Sequence, residues 1–244
     1  MNFTGKTAIV TGAAVGVGKA TAIQLASYGA NVVMVDRNEE ALACAKAEIG
    51  QQERVLTVVC DVTDAAAVQA CVEKAAERFG SVDILVNNAG IWRTWATFLE
   101  TPVEDWKQYI DVNVMGTVYF TKAALPGMLE RGWGRIVNVA SVAGVYGNAN
   151  MAHYSATKGA ILSFTKALAK EVADKGVTVN SISPGMVNTS KNPDIDATQP
   201  NGASYVGRTG SARENAELIC FLASEKAAFI SGQNVQIDGC RKSI

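Results

Sequence analysis

Apolar residues along the chain fall into short unbroken runs, separated by longer stretches in which they recur every three or four positions. The runs are residues 7–10, 31–35, 54–59, 83–86, 135–139, 177–182 and 235–237, and each predicts a strand. Strands without polar alternation are covered on both faces, as in a parallel sheet. The intervening stretches predict helices over residues 19–28, 39–49, 65–79 (opened by Asp64 as cap), about 103–129, 155–173 and 211–223. Strand and helix alternate from end to end. Repeated β-α units with right-handed crossovers give an α/β fold with an open, doubly wound sheet. No repeat, linker or low-complexity tract divides the chain, so one domain is expected over residues 1–244. Residues 188–210 break the pattern: polar, with two of the five prolines and little apolar periodicity. A polar connection of that length in a compact domain predicts a functional cover, read here as a substrate lid.

Composition narrows the function. Apolar residues make up 48% of the 244 and charged residues 18%, which excludes disorder and collagen-like repeats. Lys plus Arg number 22 against 23 Asp plus Glu, a net charge of -1 without the basic surplus of a nucleic-acid binder. No run approaches the roughly 18 apolar residues of a membrane helix. The opening MNFTGKTAIV lacks the pattern of a signal peptide. A soluble, cytoplasmic protein with no membrane partner is expected. The five cysteines are scattered, odd in number and without a CxxC pair, which argues against disulfides and zinc and for buried, inert thiols. One histidine, His153, is too few for most metal sites or a hydrolase triad, so no metal is expected. Its place beside Tyr154 predicts a pocket-rim or surface residue.

The first strand runs into Thr11-Gly12-Ala13-Ala14-Val15-Gly16-Val17-Gly18, with a helix following directly. Gly12 permits a sharp turn, Gly16 lets backbone approach a pyrophosphate, and Gly18 allows close helix packing. The helix N-terminus offers free N–H groups and partial positive charge. Asp36 closes the second strand, where a carboxylate accepts hydrogen bonds from an adenosine ribose. A 2′-phosphate there would meet that charge at a cost of about 4 kcal/mol at ~4 Å and an effective dielectric near 20. Arg37 pulls the other way but can swing into solvent. NAD(H) is therefore expected over NADP(H).

Tyr154 and Lys158 form YxxxK, which on a helix places a phenol and an ammonium on one face. A free tyrosine has a pKa near 10, and a neighbouring cation lowers it toward the range of a working base.

With its TGxxxGxG loop, Asn87-Asn88-Ala89-Gly90, Ser141 thirteen residues before Tyr154, and YxxxK, the chain resembles the short-chain dehydrogenase/reductase family, in its compact single-domain branch. The resemblance covers essentially the whole chain. It implies a Rossmann-type sheet of about seven strands with helices on both faces, and nicotinamide-dependent redox chemistry on an alcohol or carbonyl. It implies that Ser141 holds the substrate oxygen and Tyr154 is the general acid/base. Lys158 supports both the tyrosinate and the nicotinamide ribose, and Asn113 supports a water bridge to that lysine. It places Val17, Asp61 and Val62, Asn88 and Gly90 along the cofactor. The Val187 backbone and the Thr189 hydroxyl are placed at the carboxamide.

Trp92, Tyr146 and Met186, with Ser141, are the candidate substrate contacts, joined by Trp95, Val142 and His153 as pocket residues. They suggest a hydroxysteroid, cyclic alcohol or polyol as the small-molecule alcohol or ketone. Many relatives of this length reduce 3-oxoacyl groups on acyl carrier protein, usually with NADPH and a basic docking patch. Asp36 opposes the first feature, and only Arg131 and Lys175 suggest the second. A non-catalytic dinucleotide sensor is a further alternative, and so is an epimerase or dehydratase. The family usually forms homotetramers, packing the helices around residues 106–129 and 155–173, with residues 235–244 at a second interface.

Overall fold

The structure is a computed structural model and describes residues 1–189 and 194–242. Among them, seven parallel strands form one sheet: β1 (Thr7–Thr11), β2 (Asn31–Asp36), β3 (Val55–Val59), β4 (Ile84–Asn87), β5 (Gly134–Val139), β6 (Val177–Pro184) and β7 (Asn234–Ile237). Their order is β3-β2-β1-β4-β5-β6-β7. The order reverses direction between β1 and β4, which opens a crevice above the carboxyl ends of those two strands.

The two-residue period of the strands sorts the core into two layers. Ala8, Val10, Val32, Met34, Ile84, Val86, Val137 and Ile182 face one side. They meet Ala22 and Leu25 of α1 (Gly16–Ser27), Leu42 and Ala45 of α2 (Glu39–Ala47), and, from a later helix, Ile219 and Leu222. Ile9, Val33, Val35, Leu85, Ile136 and Val179 face the other. There they meet α3 (Ala65–Phe79), with Val68, Cys71, Val72 and Ala75 turned inward. The strands are apolar on both faces because both are covered.

The predicted helix over 103–129 is real but not uniform. It divides into α4 (Val103–Ile110), a wider π-turn over Asp111–Met115, and α5 (Gly116–Arg131). Then come α6 (Val142–Tyr146), α7 (Ala152–Val172) and α8 (Ala212–Ala223). α5 and α7 cover the same sheet face as α3, through Phe120, Ala124, Met128, Leu168 and Val172. α6 escaped the pattern because five residues are too few for a periodicity. α1 starts at Gly16 and α7 at Ala152, both about three residues ahead of the pattern, because glycine and polar residues open these helices. Asp64 caps α3 as expected, accepting from Ala66 N and Ala67 N.

Of the polar stretch 188–210, residues 190–193 lie outside the described residues. The remainder is pinned by bridges Val187↔Gly210, Pro200↔Arg208 and Ser204↔Arg241. Residues 243–244 of the terminal stretch also lie outside the described residues. The thiols divide: Cys60, Cys71 and Cys220 are buried, whereas Cys44 and Cys240 are exposed. Burial raises Cys60 to about 11 and Cys71 to about 12, which keeps them protonated.

Candidate active site

A cleft of about 910 Å³ runs across the carboxyl ends of β1 to β6. Gly12, Gly16, Val17, Asp36, Asp61, Val62, Asn88, Gly90, Ser141, Trp92, Tyr154, Lys158, Met186, Val187 and Thr189 all line it. The fold thus gathers into one groove residues scattered over 178 positions of sequence.

At one end lies the glycine loop. The N-cap of α1 is Val15, whose side chain caps no N–H, so the first turn of the helix presents its donors to the cleft. A Cβ on Gly12 would stand 2.9 Å from Ala89 Cα, and one on Gly16 the same distance from Thr189 Cβ. Both glycines also have positive φ, 64° and 57°. Gly18 is not a lining residue. It packs behind the loop, where a Cβ would meet Gly12 O at 2.1 Å. Asn88 ties the loop to β4 by donating from Nδ2 to Thr11 O at 2.9 Å and Gly12 O at 3.2 Å. Asn87 sits deeper and links β4 to Asn138 on β5.

Asp36 holds two backbone donors, Ala14 N at 3.2 Å and Asn38 N at 3.0 Å. Asn38, not Asp36, caps α2. Asp36 therefore keeps the remaining lone pairs of its carboxylate for hydroxyl donors. Asp61 is held by Thr63 N and Thr63 Oγ1. These bonds, with a smaller contribution from the charge of Arg37, keep its carboxyl below the usual range. The charge of Arg37 is thus shared with Asp61. An uncapped helix start, a glycine cradle and a carboxylate at the second strand end fit a dinucleotide.

The middle of the cleft holds the acid/base group. Ser141 caps α6: its Oγ accepts from Ala143 N at 3.1 Å, which leaves its O–H to donate into the cleft. Ser141 faces Tyr154 in the first turn of α7, near enough to pull the phenol's titration down. α6 reaches α7 this closely because Gly144 has no side chain. A Cβ there would lie 2.5 Å from the carbonyl carbon of Lys158. One turn on, the Lys158 amine donates to Val139 O at 2.7 Å and lies 5.9 Å from the Tyr154 ring centre.

The electrostatics depart from the expectation that the lysine lowers the tyrosine. Burial raises Tyr154 above its ordinary value, and nearby Tyr109 adds to the rise; Ser141 is what pulls it down. Lys158 is itself pushed down to about 8 by burial. Its amine is committed to the end of β5 rather than to the phenol.

Asn113 lies behind the cleft, in the π-turn, and is buried. A Cβ on Gly90 would stand 3.2 Å from Asn113 Oδ1 and 3.4 Å from Lys158 Nζ. Asn113 and Lys158 thus meet across the NNAG turn.

His153 is not at a rim. It is fully buried, its ring centre 4.3 Å from that of Tyr109 and 6.0 Å from that of Trp106. Among the described residues neither ring nitrogen has a hydrogen-bond partner, and burial lowers its pKa, so it packs as a neutral ring. Tyr109 is the centre of this cluster. Its hydroxyl accepts from Arg93 N at 2.6 Å and Thr94 N at 2.9 Å, anchoring the loop that carries Trp92 and Trp95.

At the open end stand Trp92, Trp95, Val142, Met151 and Met186. Tyr146 does not line the cleft. Its hydroxyl donates to Gln236 Oε1 at 2.6 Å and its ring lies under Arg241. Sequence reasoning missed Arg93, Asn148, Ala203 and Arg241, which do line it. No motif marks them, and Arg241 reaches the site only through pairing of the final segment with residues 203–206.

Known proteins agree with this geometry. The family model described as short chain dehydrogenase matches residues 6–200. The chain is 40% identical over 245 residues to a 2-dehydro-3-deoxy-L-rhamnonate dehydrogenase (NAD(+)) of Sphingomonas sp. (strain SKA58), covering 98% of this chain and 96% of that protein. It is 38% identical over 242 residues to the 3-oxoacyl-[acyl-carrier-protein] reductase of Escherichia coli (strain K12), covering 98% of each. The crystal structure of an NAD+-bound xylitol dehydrogenase superimposes with a TM-score of 0.90 at 33% identity, covering 98% of this chain and all of that one.

Proposed function

The chain belongs to the short-chain dehydrogenase family, and from that premise we propose that it is an NAD(H)-dependent oxidoreductase interconverting a secondary alcohol and a ketone. The observation that carries this reading is the convergence of Ser141, Tyr154 and, one helical turn on, Lys158 on the middle of one cleft. A bound nicotinamide supplies the hydride acceptor in oxidation and the donor in reduction. Ser141 directs its hydroxyl to the substrate oxygen. Tyr154 Oη takes the proton of the alcohol in oxidation and returns it to the carbonyl oxygen in reduction. Lys158, fixed on Val139 O, is placed to hold a ribose hydroxyl, and Val187 and Thr189 to hold the carboxamide. Asp36 turns the choice to NAD(H), and relatives named for NAD+ support that preference.

The stretch 188–210 belongs to this reading as the cover of the substrate end, supported among its described residues by Ala203, which lines the cleft. Assembly into a homotetramer through α5 and α7 belongs to it too, and light scattering on the purified protein tests it. Of the hydroxysteroid, cyclic alcohol and polyol classes, the first two fit the apolar walls of Trp92, Trp95 and Met186 better than a polyol does.

Reduction of 3-oxoacyl groups on acyl carrier protein is the second reading, supported by the 38% identical reductase. The cations expected to dock an acidic carrier argue against it. Arg131 is turned back on Val82 O at 2.6 Å and on Asp83, and Lys175 on Glu171 O at 2.9 Å. A sensor without catalysis would have no use for Ser141, Tyr154, Lys158 and Asn113 together. A screen of alcohols and ketones followed by NADH absorbance, with both cofactors, tests these readings. Turnover is expected with NAD(H); tight NAD binding without turnover of any compound would favour the sensor.

A further inference from the structure

Charge is sorted along the cleft. Among the described residues that line it, the carboxylates, Asp36 and Asp61, stand at the adenosine end, with Arg37 beside them and acting on Asp61. The charged side chains beyond the Ser141–Tyr154 pair are two arginines, Arg93 and Arg241. Neither has a carboxylate partner among the described residues. Lys158 lies between the two ends with its amine committed to Val139 O.

Arg241 is not a loose surface cation. It is half-buried, and its Nη2 donates to Asn148 Oδ1 at 3.0 Å. Asn148 lies in the loop joining Ser141 to Tyr154 and is itself held, its N–H donating to Ser155 Oγ at 3.1 Å. The guanidinium lies 5.9 Å from the centre of the Tyr146 ring, whose hydroxyl is tied to Gln236. Its backbone pairs with Ser204, and the neighbouring bonds Tyr205 N to Cys240 O and Lys242 N to Ala203 O, each 2.9 Å, continue the ladder. Side chain and backbone are both fixed, yet one bond to Asn148 uses only one of five N–H donors. A planar fork with donors to spare, beside a cleft that offers it no anion, matches a carboxylate in geometry and charge. Arg93 follows Trp92 in the loop anchored by Tyr109, and adds a second positive charge at the same end.

We propose that the substrate carries a carboxylate, and that Arg241, held by Asn148 and seconded by Arg93, binds it while Ser141 and Tyr154 address its hydroxyl or oxo carbon. The substrate is then a hydroxy acid or oxo acid rather than a neutral sterol or polyol. The apolar walls of Trp92, Trp95 and Met186 flank the carbon chain between the two polar ends. This assignment rests on the oxidoreductase reading above and sharpens its substrate class.

The test pairs each acid with its own neutral form. 2-Oxobutanoate, 3-oxobutanoate, 4-oxopentanoate and 5-oxohexanoate, each beside its methyl ester, are reduced with NADH by the wild type and by Arg241→Met and Arg241→Lys. The best acid is expected to exceed its ester by about tenfold or more in kcat/KM, the scale of one hydrogen-bonded charge pair. Arg241→Met should bring the acid-to-ester ratio toward one, chiefly through the KM of the acid, and Arg241→Lys should restore part of it. Equal turnover of acid and ester, or a ratio that Arg241→Met leaves untouched, overturns the assignment. Turnover of esters with none of the acids overturns it too while leaving the oxidoreductase reading in place. If no compound of the panel reacts, the wider alcohol and ketone screen decides the oxidoreductase reading. Calorimetric titration of the NADH-loaded protein with the same acids and esters then decides the carboxylate site: acid-selective binding lost in Arg241→Met sustains it, and its absence sinks it.

Discussion

The side-chain amide of Asn113 grips both backbone polar groups of Ile91, accepting from its N–H at 2.8 Å and donating to its carbonyl at 3.1 Å. Its second N–H reaches Thr157 Oγ1 at 3.1 Å, on the helix that carries Tyr154 and Lys158. One side chain thus joins the end of the NNAG turn to the acid/base helix. The widened π-turn over Asp111–Met115 contains it, consistent with the placing of such turns at functional sites.

Asn113→Ala leaves the Ile91 N–H and carbonyl buried without partners. Each orphaned group costs about 1–3 kcal/mol, so a loss of several kcal/mol is expected. Urea unfolding monitored by circular dichroism should show the midpoint fall well below that of the wild type. Unchanged stability would mean that Ile91 finds other partners.

Lys158 gives the protein a pH dependence of known sign. Its amine sits at about 8 when folded, against 10.5 as the ordinary value. Between those values the unfolded chain binds the additional proton, so stability rises with pH across this window, by a total on the order of 3 kcal/mol. Below pH 8 both states are protonated and the burial cost is present in full. The difference in unfolding free energy, wild type minus Lys158→Met, should therefore grow from pH 7 to pH 10. A flat difference would show that the amine is better solvated than its position implies.

Tyr154→Phe removes the proton carrier and little else. Its kcat should drop by about 10²–10⁴-fold, the range of general acid–base catalysis, while NADH affinity by fluorescence titration stays close to wild type. Ser141→Ala should shift the pH limb assigned to Tyr154 upward, because Ser141 is what lowers that phenol. A downward shift would assign the limb to another group.

Asp36→Asn removes the charge and keeps an oxygen for one of the two backbone donors. The ratio of kcat/KM for NAD to that for NADP should fall by about tenfold or more, given about 4 kcal/mol at ~4 Å before screening. A wild type that already prefers NADPH would reverse the assignment of Asp36.

Gly144→Ala inserts a methyl group where backbone already lies 2.5 Å away. α6 must then move off α7, drawing Ser141 from Tyr154. Activity should fall more than stability does, since overpacking costs about 1–3 kcal/mol but hydrogen-bond geometry tolerates little displacement. At Gly50, where a Cβ would meet nothing within 4 Å, the same change should alter the melting temperature little.

The strands were legible because burial on both sheet faces demands unbroken apolar runs, and Ile9 and Val10, facing opposite layers, both meet that demand. Gly12, Asp36, Ser141, Tyr154 and Lys158 were legible because each needs a particular residue type at a fixed distance from a strand end or a helix turn. His153 was misplaced because a helical position gives an angle but not what packs against it. Here Trp106 and Tyr109 enclose it from α4, more than forty residues earlier. The lysine–phenol coupling was overestimated because sequence sets the two residues on one face without revealing that Val139 O claims the amine. Arg241 carried no signal at all, since its role depends on a ladder with residues 203–206 and on a bond to Asn148, 93 residues away.

The central place of β1 has a consequence for the chain as it leaves the ribosome. β1 finds β2 within a few dozen residues, but its other edge waits for β4, and the bond joining Thr7 N to Asp83 spans 76 residues. At a synthesis rate of about 5–20 residues per second, that edge stays open for roughly four to fifteen seconds. During this interval an apolar strand with unpaired amides is exposed to any neighbouring nascent chain. Recoverable yield in a recombinant host should therefore respond to translation speed through the first ninety codons more than to changes near the end of the message.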